Sequence, residues 1–309
     1  MLSYFRMNRD HIQEIIDHLH QVFLGQAEVV KSILCAFLAG GHVLLEGVPG
    51  VGKTLIALAL SQLLHLSFKR VQFTNDLLPS DVTGFHTFRS GTNELELIKG
   101  PVFASIVLAD EINRTSPKTQ SALLEAMEEN QVTIDGITYE LPKPFMVIAT
   151  QNPIEIAGTF PLPESQLDRF LMKIKIGYPP LDEEKQILSK DIDHADALKL
   201  NPIMEKGTIV ELMSGVSKVL VHKDVLEYMA MIVRSTRTHP KIDLGISPRG
   251  GLALKRASQA WAFIHNRSYV TPGDVKAVAP SVLTHRIIIK DGDPYSIIEA
   301  VLNEVGIPI

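Results

Sequence analysis

Nine consecutive residues, Glu46-Gly47-Val48-Pro49-Gly50-Val51-Gly52-Lys53-Thr54, combine the types and spacing that phosphate chemistry needs. The glycines let successive backbone N–H groups turn inward on a β-phosphate, and the helix start that follows adds its positive dipole end. Lys53 is expected to reach the β- and γ-phosphates and the Thr54 hydroxyl to hold Mg²⁺, with Val48, Pro49, Gly50, Val51 and Leu55 completing the loop. A second set of groups lies downstream. Asp110 and Glu111 end the apolar run Ile106-Val107-Leu108-Ala109. Asp110 would hold Mg²⁺ through water, and Glu111 would orient and deprotonate the water that attacks the γ-phosphate. Asn152 ends the next apolar run, where an uncharged amide could fix that water without displacing the ion. Taken by itself, Asn152-Pro153 reads as a turn starter. Arg169 precedes the last strand, and Arg249 sits in the first turn of a later helix, where it opposes the dipole; a bound phosphate would offset that cost.

These groups need strands and helices to bring them together. Val43-Leu44-Leu45 before the glycines and Leu55-Ile56-Ala57-Leu58-Ala59-Leu60 after them give the strand, turn and helix that the phosphate-binding loop requires. Strands are predicted over 69–73, 106–109, 145–149 and 171–176, the last half-exposed because apolar and basic residues alternate. The span 76–101, with Pro79, Gly84, Gly91 and Gly100, predicts turns and short hairpins. Ser116-Pro117 is an N-cap followed by an N1 proline, and Asp135-Gly136 is a two-residue hairpin turn. An opening helix over 10–20 precedes a second that ends at Gly40-Gly41. From Gly177-Tyr178-Pro179-Pro180 onward helical patterns take over, at 182–189, 207–217, 223–239, 248–265, 272–285 and 294–305. The fold class is therefore α/β: a parallel sheet with helices on both faces over 1–178, then an all-α unit over 179–309.

Composition narrows the function. The chain has 309 residues, 45% of them hydrophobic, and 30 basic against 35 acidic side chains, so no global basic excess draws in nucleic acid. With a single cysteine, Cys35, the chain has no internal disulfide and no cysteine–zinc cluster. Cys35 reads as a small core residue. The N-terminus lacks a basic-then-apolar leader pattern and no apolar run approaches the length of a membrane span, so a cytoplasmic protein is expected.

Gly47 through Thr54, Asp110-Glu111-Ile112-Asn113-Arg114, Ala149-Thr150-Gln151-Asn152-Pro153, Leu167-Asp168-Arg169-Phe170 and Ser247-Pro248-Arg249 together resemble the AAA+ ATPases of the MoxR family. The resemblance runs from Gly25-Gln26 to the C-terminal helices. It implies an AAA+ αβα core over 1–178, a helical lid over 179–309, and ATP with Mg²⁺ as cofactors. Carried onto this sequence, Lys53 and Thr54 are the Walker A pair, Asp110 and Glu111 the Walker B pair, Asn152 sensor 1 and Arg249 sensor 2. Arg169 resembles the arginine finger, with Arg114 a competing candidate. The family's architecture makes 76–101 an insertion within a core helix and 131–141 a hairpin before sensor 1, both directed to a ring pore or to partners. It further implies a homo-oligomeric ring, hexameric in the family, in which Arg169 completes the neighbour's site and Arg249 lets the lid sense the γ-phosphate. The implied role is chaperone-like remodelling, assembly or cofactor insertion in a client complex. A von Willebrand A-domain partner is implied as a separate protein, because this chain has no Asp-x-Ser-x-Ser. Three other readings share the motifs: a DNA-directed AAA+ motor, a magnesium-chelatase-type motor subunit, and a nucleotide-gated scaffold with negligible turnover. Glu111 argues against the last.

Overall fold

The structure is a computed structural model that describes residues 2–24, 26–89, 94–153, 158–190 and 199–307. Gly25 and Gly91, used above, lie outside the described residues. Helices α1 (Leu2–Val22) and α2 (Ala27–Leu38) lead into strand β1 (Val43–Gly47), and α3 (Lys53–Leu63) follows the glycine turn. Strands β2 (Phe68–Gln72), β5 (Ile106–Asp110), β8 (Met146–Gln151) and β9 (Met172–Ile176) join β1 in one parallel sheet, in the order β2-β5-β8-β1-β9. The central strands are apolar on both faces, as strands buried between helices must be. Their period of two sorts side chains between two apolar layers. Val43, Leu45, Leu108 and Ile148 pack against α1, α2 and α3, whereas Leu44, Val107, Ala109 and Val147 face α5 (Pro117–Glu129) and its neighbours. The first layer continues without a break into the C-terminal helices. Buried Cys35 lies on this seam, its Sγ donating to the Ala257 carbonyl at 3.3 Å.

The span predicted as turns and hairpins forms a short helix, α4 (Pro79–Thr83), and a hairpin of β3 (Gly84–Phe88) with β4 (Leu95–Lys99). Strands β6 (Gln131–Ile134) and β7 (Ile137–Glu140) form the second hairpin, and both turn residues, Asp135 and Gly136, have positive φ as an Asp-Gly turn requires. His86 ties the hairpins together through Asp135 Oδ2 at 2.9 Å and the Tyr139 hydroxyl at 2.9 Å.

A short helix, α6 (Glu164–Leu167), precedes β9, and α7 (Leu181–Lys190) follows it. The remaining helices are α8 (Lys206–Ser217), α9 (Lys223–Thr238), α10 (Pro248–Ile264), α11 (Pro272–Leu283) and α12 (Pro294–Glu304). The proline-led starts are capped by side chains: Ser247, Thr271 and Asp293 each accept a backbone N–H three residues on. Each cap contributes about 1 kcal/mol. The C-terminal unit differs from the all-α expectation by one small antiparallel ribbon, β10 (Ile242–Leu244) with β11 (Ile288–Ile289). These segments are too short for their alternation to stand out in the sequence.

Candidate active site

The register of the sheet brings the C-terminal ends of β2, β5, β8 and β1 side by side: Gln72 aligns with Asp110, Ala109 with Ala149, Leu45 with Thr150 and Glu46 with Gln151. Ligands of open parallel sheets bind at this edge, and the polar residues that end each strand collect here. A cavity of about 680 Å³ lies over it. Pro49 through Leu55 form one wall; Asp110, Glu111 and Asn152 come from the strand ends.

The glycine turn owes its shape to three positions. Gly50 and Gly52 both have φ +83°, in the left-handed region that favours glycine. A Cβ on Gly47 would meet the Ile176 carbonyl oxygen at 2.6 Å, so strand β9 can pair alongside only because no side chain is there. Gly52 is the N-cap of α3, which makes Lys53 and Thr54 its first two residues and leaves their N–H groups without helical partners. Lys53 Nζ donates to the Gly47 carbonyl at 2.6 Å, holding the amine inside the curve of the loop. Burial lowers the Lys53 pKa, against the opposing pull of Asp110 and Glu111. A phosphate in the loop would act with these carboxylates to favour the charged amine.

Both acidic residues are held tightly. Thr150 Oγ1 donates to Asp110 Oδ1 at 2.6 Å and accepts the Glu111 backbone N–H at 2.8 Å. Arg70 reaches Asp110 Oδ2 at 2.7 Å, and Gln72 Nε2 donates to Glu111 Oε2 at 2.7 Å. Glu111 has φ +58°, which costs a residue with a Cβ roughly 1–2 kcal/mol. Strain of this kind concentrates at sites where a side chain must take one direction. Arg114, the competing candidate for a trans-acting arginine, pairs within its own loop with Glu111 Oε2 at 2.9 Å.

The fit to Mg²⁺ rests on the donor set. Thr54 and Asp110 line the same cavity with a hydroxyl and a carboxylate, the hard oxygen donors this ion takes. Among the described residues no cluster of three or more His, Cys, Asp or Glu offers a protein-only cage. Thr54 and Asp110 would hold such an ion, with phosphates and water as its remaining donors, and it would supply positive charge beside the phosphates.

Arg169 and Arg249 are brought to each other and not to this cavity. Arg169 Nε stands 3.2 Å from Glu128 Oε2, and Arg249 Nη1 is 2.8 Å from Glu128 Oε1. Arg249 is also 3.8 Å from Asp168 Oδ2. Arg249, expected to let the lid sense the γ-phosphate, lies outside the cavity here: α10 begins beside the end of α5, and the guanidinium is engaged with Glu128. The cavity walls away from the phosphate loop went unnoticed in the sequence. Val22, Phe23, Leu24 and Gln26 close one side, and Tyr178, Pro179, Glu184, Ile187 and Leu188 another. Gln26 Nε2 donates to the Gly177 carbonyl at 2.6 Å, joining the two walls. Their apolar and aromatic side chains suit a nucleobase.

Comparison with known proteins agrees with this geometry. Residues 42–172 match the model of the ATPase family associated with various cellular activities (AAA), and residues 234–303 match the AAA lid domain. The chain is 47% identical to the uncharacterized protein YeaC of Bacillus subtilis over 95% of this chain and 94% of that one. It is 38% identical to the chaperone MoxR1 of Mycobacterium tuberculosis, over 96% of this chain and 82% of that protein. A solved structure of a proposed ATPase from Cytophaga hutchinsonii superposes with a TM-score of 0.91 at 39% identity, covering 99% of this chain and 98% of that one. With both AAA models on the chain, this kinship along its length and a phosphate loop facing paired carboxylates, the chain belongs to the MoxR family of AAA+ ATPases.

Proposed function

We propose that this ATPase hydrolyses ATP at a site that a second copy of the chain must complete, and that the cycle drives remodelling or assembly of a client protein complex. The observation that carries the first part is the separation of the groups. The cavity holds the loop, Lys53, Thr54, Asp110, Glu111 and Asn152, while Arg169 and Arg249 pair with Glu128 elsewhere. Arg249 goes with Arg169 in this reading, and both approach the neighbour's γ-phosphate.

Each residue then has one task. The loop N–H groups and Lys53 bind the β- and γ-phosphates. Glu111 takes the proton of the attacking water, and Asn152 orients that water. Mg²⁺, when bound, neutralises charge on the β- and γ-oxygens, and Thr54 and Asp110 would hold it. The arginines from the neighbour stabilise charge on the transferring phosphoryl, an effect of roughly 10³–10⁵ in rate. The functional division falls at 178/179, with the matched AAA and lid segments on either side.

The client role draws support from the chaperone name of MoxR1 and from the hairpins. Phe85, Phe88, Leu95, Ile98 and Ile137 are exposed there, an apolar surface of the kind that meets other proteins. We place the protein in the cytoplasm as a hexameric ring working with a separate von Willebrand A-domain partner. No helix among the described residues is long and apolar enough to cross a membrane. Substituting Arg169→Ala or Arg249→Ala is expected to abolish hydrolysis while nucleotide affinity stays within about twofold. Normal turnover in either variant removes that arginine from the role. Affinity capture with Glu111→Gln, which should retain ATP, is expected to hold the partner and client; capture of DNA instead would favour a DNA-directed motor.

A further inference from the structure

We infer that Glu128 is a positioning residue for hydrolysis: its carboxylate gathers Arg169 and Arg249 into one pair and presents them to the second copy of the chain. The inference rests on the reading that these arginines act across an interface.

Glu128 lies in the last turn of α5, where a negative charge opposes the helix dipole, and Arg249 lies in the first turn of α10, where a positive charge does the same. Each is misplaced for its own helix, and the pair offsets both. Each oxygen of Glu128 serves one arginine: Oε1 takes Arg249 Nη1 at 2.8 Å and Oε2 faces Arg169 Nε at 3.2 Å. Arg169 meets Glu128 through Nε, and its terminal nitrogens make no hydrogen bond to protein among the described residues. Arg249 likewise retains Nη2. Terminal guanidinium N–H groups are the ones that clamp phosphate oxygens.

The local charge is unbalanced toward cations. Asp168 Oδ1 is taken by Arg286 at 2.7 Å, leaving Glu128 as the carboxylate that meets both Arg169 and Arg249. Arg256 adds a third guanidinium, whose pKa is lowered by burial and by the nearby charge of Arg249. Four arginines, Arg169, Arg249, Arg256 and Arg286, against two carboxylates, Glu128 and Asp168, leave positive charge for a further anion. The arginines come from two separate elements, the turn after α6 and the start of α10, so a shared carboxylate is what fixes their spacing.

The test uses full-length protein. Glu128→Gln keeps the size of the side chain and removes its charge; Glu128→Ala removes the acceptor as well. Both are expected to lose at least tenfold in kcat, with ATP affinity, melting temperature and oligomeric state unchanged. Co-assembled with Lys53→Ala subunits, which lack a working loop but carry intact arginines, Glu128→Ala subunits should regain turnover. Arg169→Ala co-assembled with Lys53→Ala is the reference. Wild-type or raised turnover in Glu128→Ala overturns the inference, a rise meaning that the carboxylate competes with phosphate. Rescue of Arg169→Ala without rescue of Glu128→Ala also overturns it, because Glu128 would then serve its own chain's site. No rescue of either refutes the interface reading itself.

Discussion

The contact most exposed to a quantitative test is the ion pair that fastens the C-terminal helices behind the arginine pair. Arg286 has a nearly fully buried side chain, and its Nε donates to Asp168 Oδ1 at 2.7 Å. Burial brings its pKa down to about 10, even with Asp168 opposing the shift. Asp168→Ala would leave this guanidinium in the interior without a counter-charge. Breaking one side of a buried pair costs about 3–5 kcal/mol. The carbonyls of Asp168, Phe170, Leu171 and Val282 would still accept from Arg286, which places the loss near the low end, about 3 kcal/mol. That corresponds to roughly 5 °C in melting temperature for a chain of this size. Urea unfolding followed by fluorescence of the single tryptophan, Trp261 in α10, reads it where it matters. The double variant Asp168→Ala/Arg286→Met should recover most of the loss, since an apolar replacement of a buried pair is often neutral or stabilising. A loss below about 1 kcal/mol in Asp168→Ala, the range of exposed pairs, would show that the Arg286–Asp168 pair is not a buried one in solution.

Other outcomes follow from the same geometry. His42 is buried, accepts the Val147 N–H and donates to the Met127 carbonyl, and desolvation lowers its pKa to about 4. Its unfolded form binds a proton near pH 6.5, so stability is full above that pH and falls as pH drops toward 4, by about 3 kcal/mol in total. Buried His285, also shifted well down by desolvation, adds a loss of the same sign. A flat stability profile between pH 6.5 and 5, above the carboxylate range, would contradict both. Gly52→Ala and Gly50→Ala both place a Cβ at φ +83°, but only at Gly52 does that Cβ meet the Phe23 ring, at 3.0 Å. Nucleotide affinity should fall further for Gly52→Ala than for Gly50→Ala, where the cost is the backbone strain of about 1–2 kcal/mol alone; equal losses would mean that the Phe23 ring does not constrain the loop.

The parts legible in the sequence are those whose chemistry is local. A phosphate loop needs a strand, a glycine turn and a helix within about twenty residues, and an acidic strand end announces itself by the apolar run before it. The Asp-Gly hairpin and the Ser-Pro, Thr-Pro and Asp-Pro helix starts are equally local. What escaped is tertiary. Thr150, whose hydroxyl joins Asp110 to the Glu111 backbone, looks like any strand threonine. Phe23 and Ile187 become one cavity's walls only after α7 folds back on the first helices. Glu128 reads as an ordinary exposed face of the helix whose inner stripe is Leu123, Leu124 and Met127. Arg249 stands out by its Ser-Pro-Arg motif, yet its direction depends on how α10 docks against α5, which no local pattern encodes.

Whether hydrolysis needs two copies is answered most directly by one measurement: ATP turnover by assemblies mixed from Arg169→Ala and Lys53→Ala subunits. Each variant alone should be inactive, the first lacking its donated arginine and the second its loop. In the mixture, intact loops of the first meet intact arginines of the second, and turnover should appear in proportion to mixed contacts. Mixed assemblies that form and stay inactive, or full turnover by Arg169→Ala alone, would contradict a site shared between two copies.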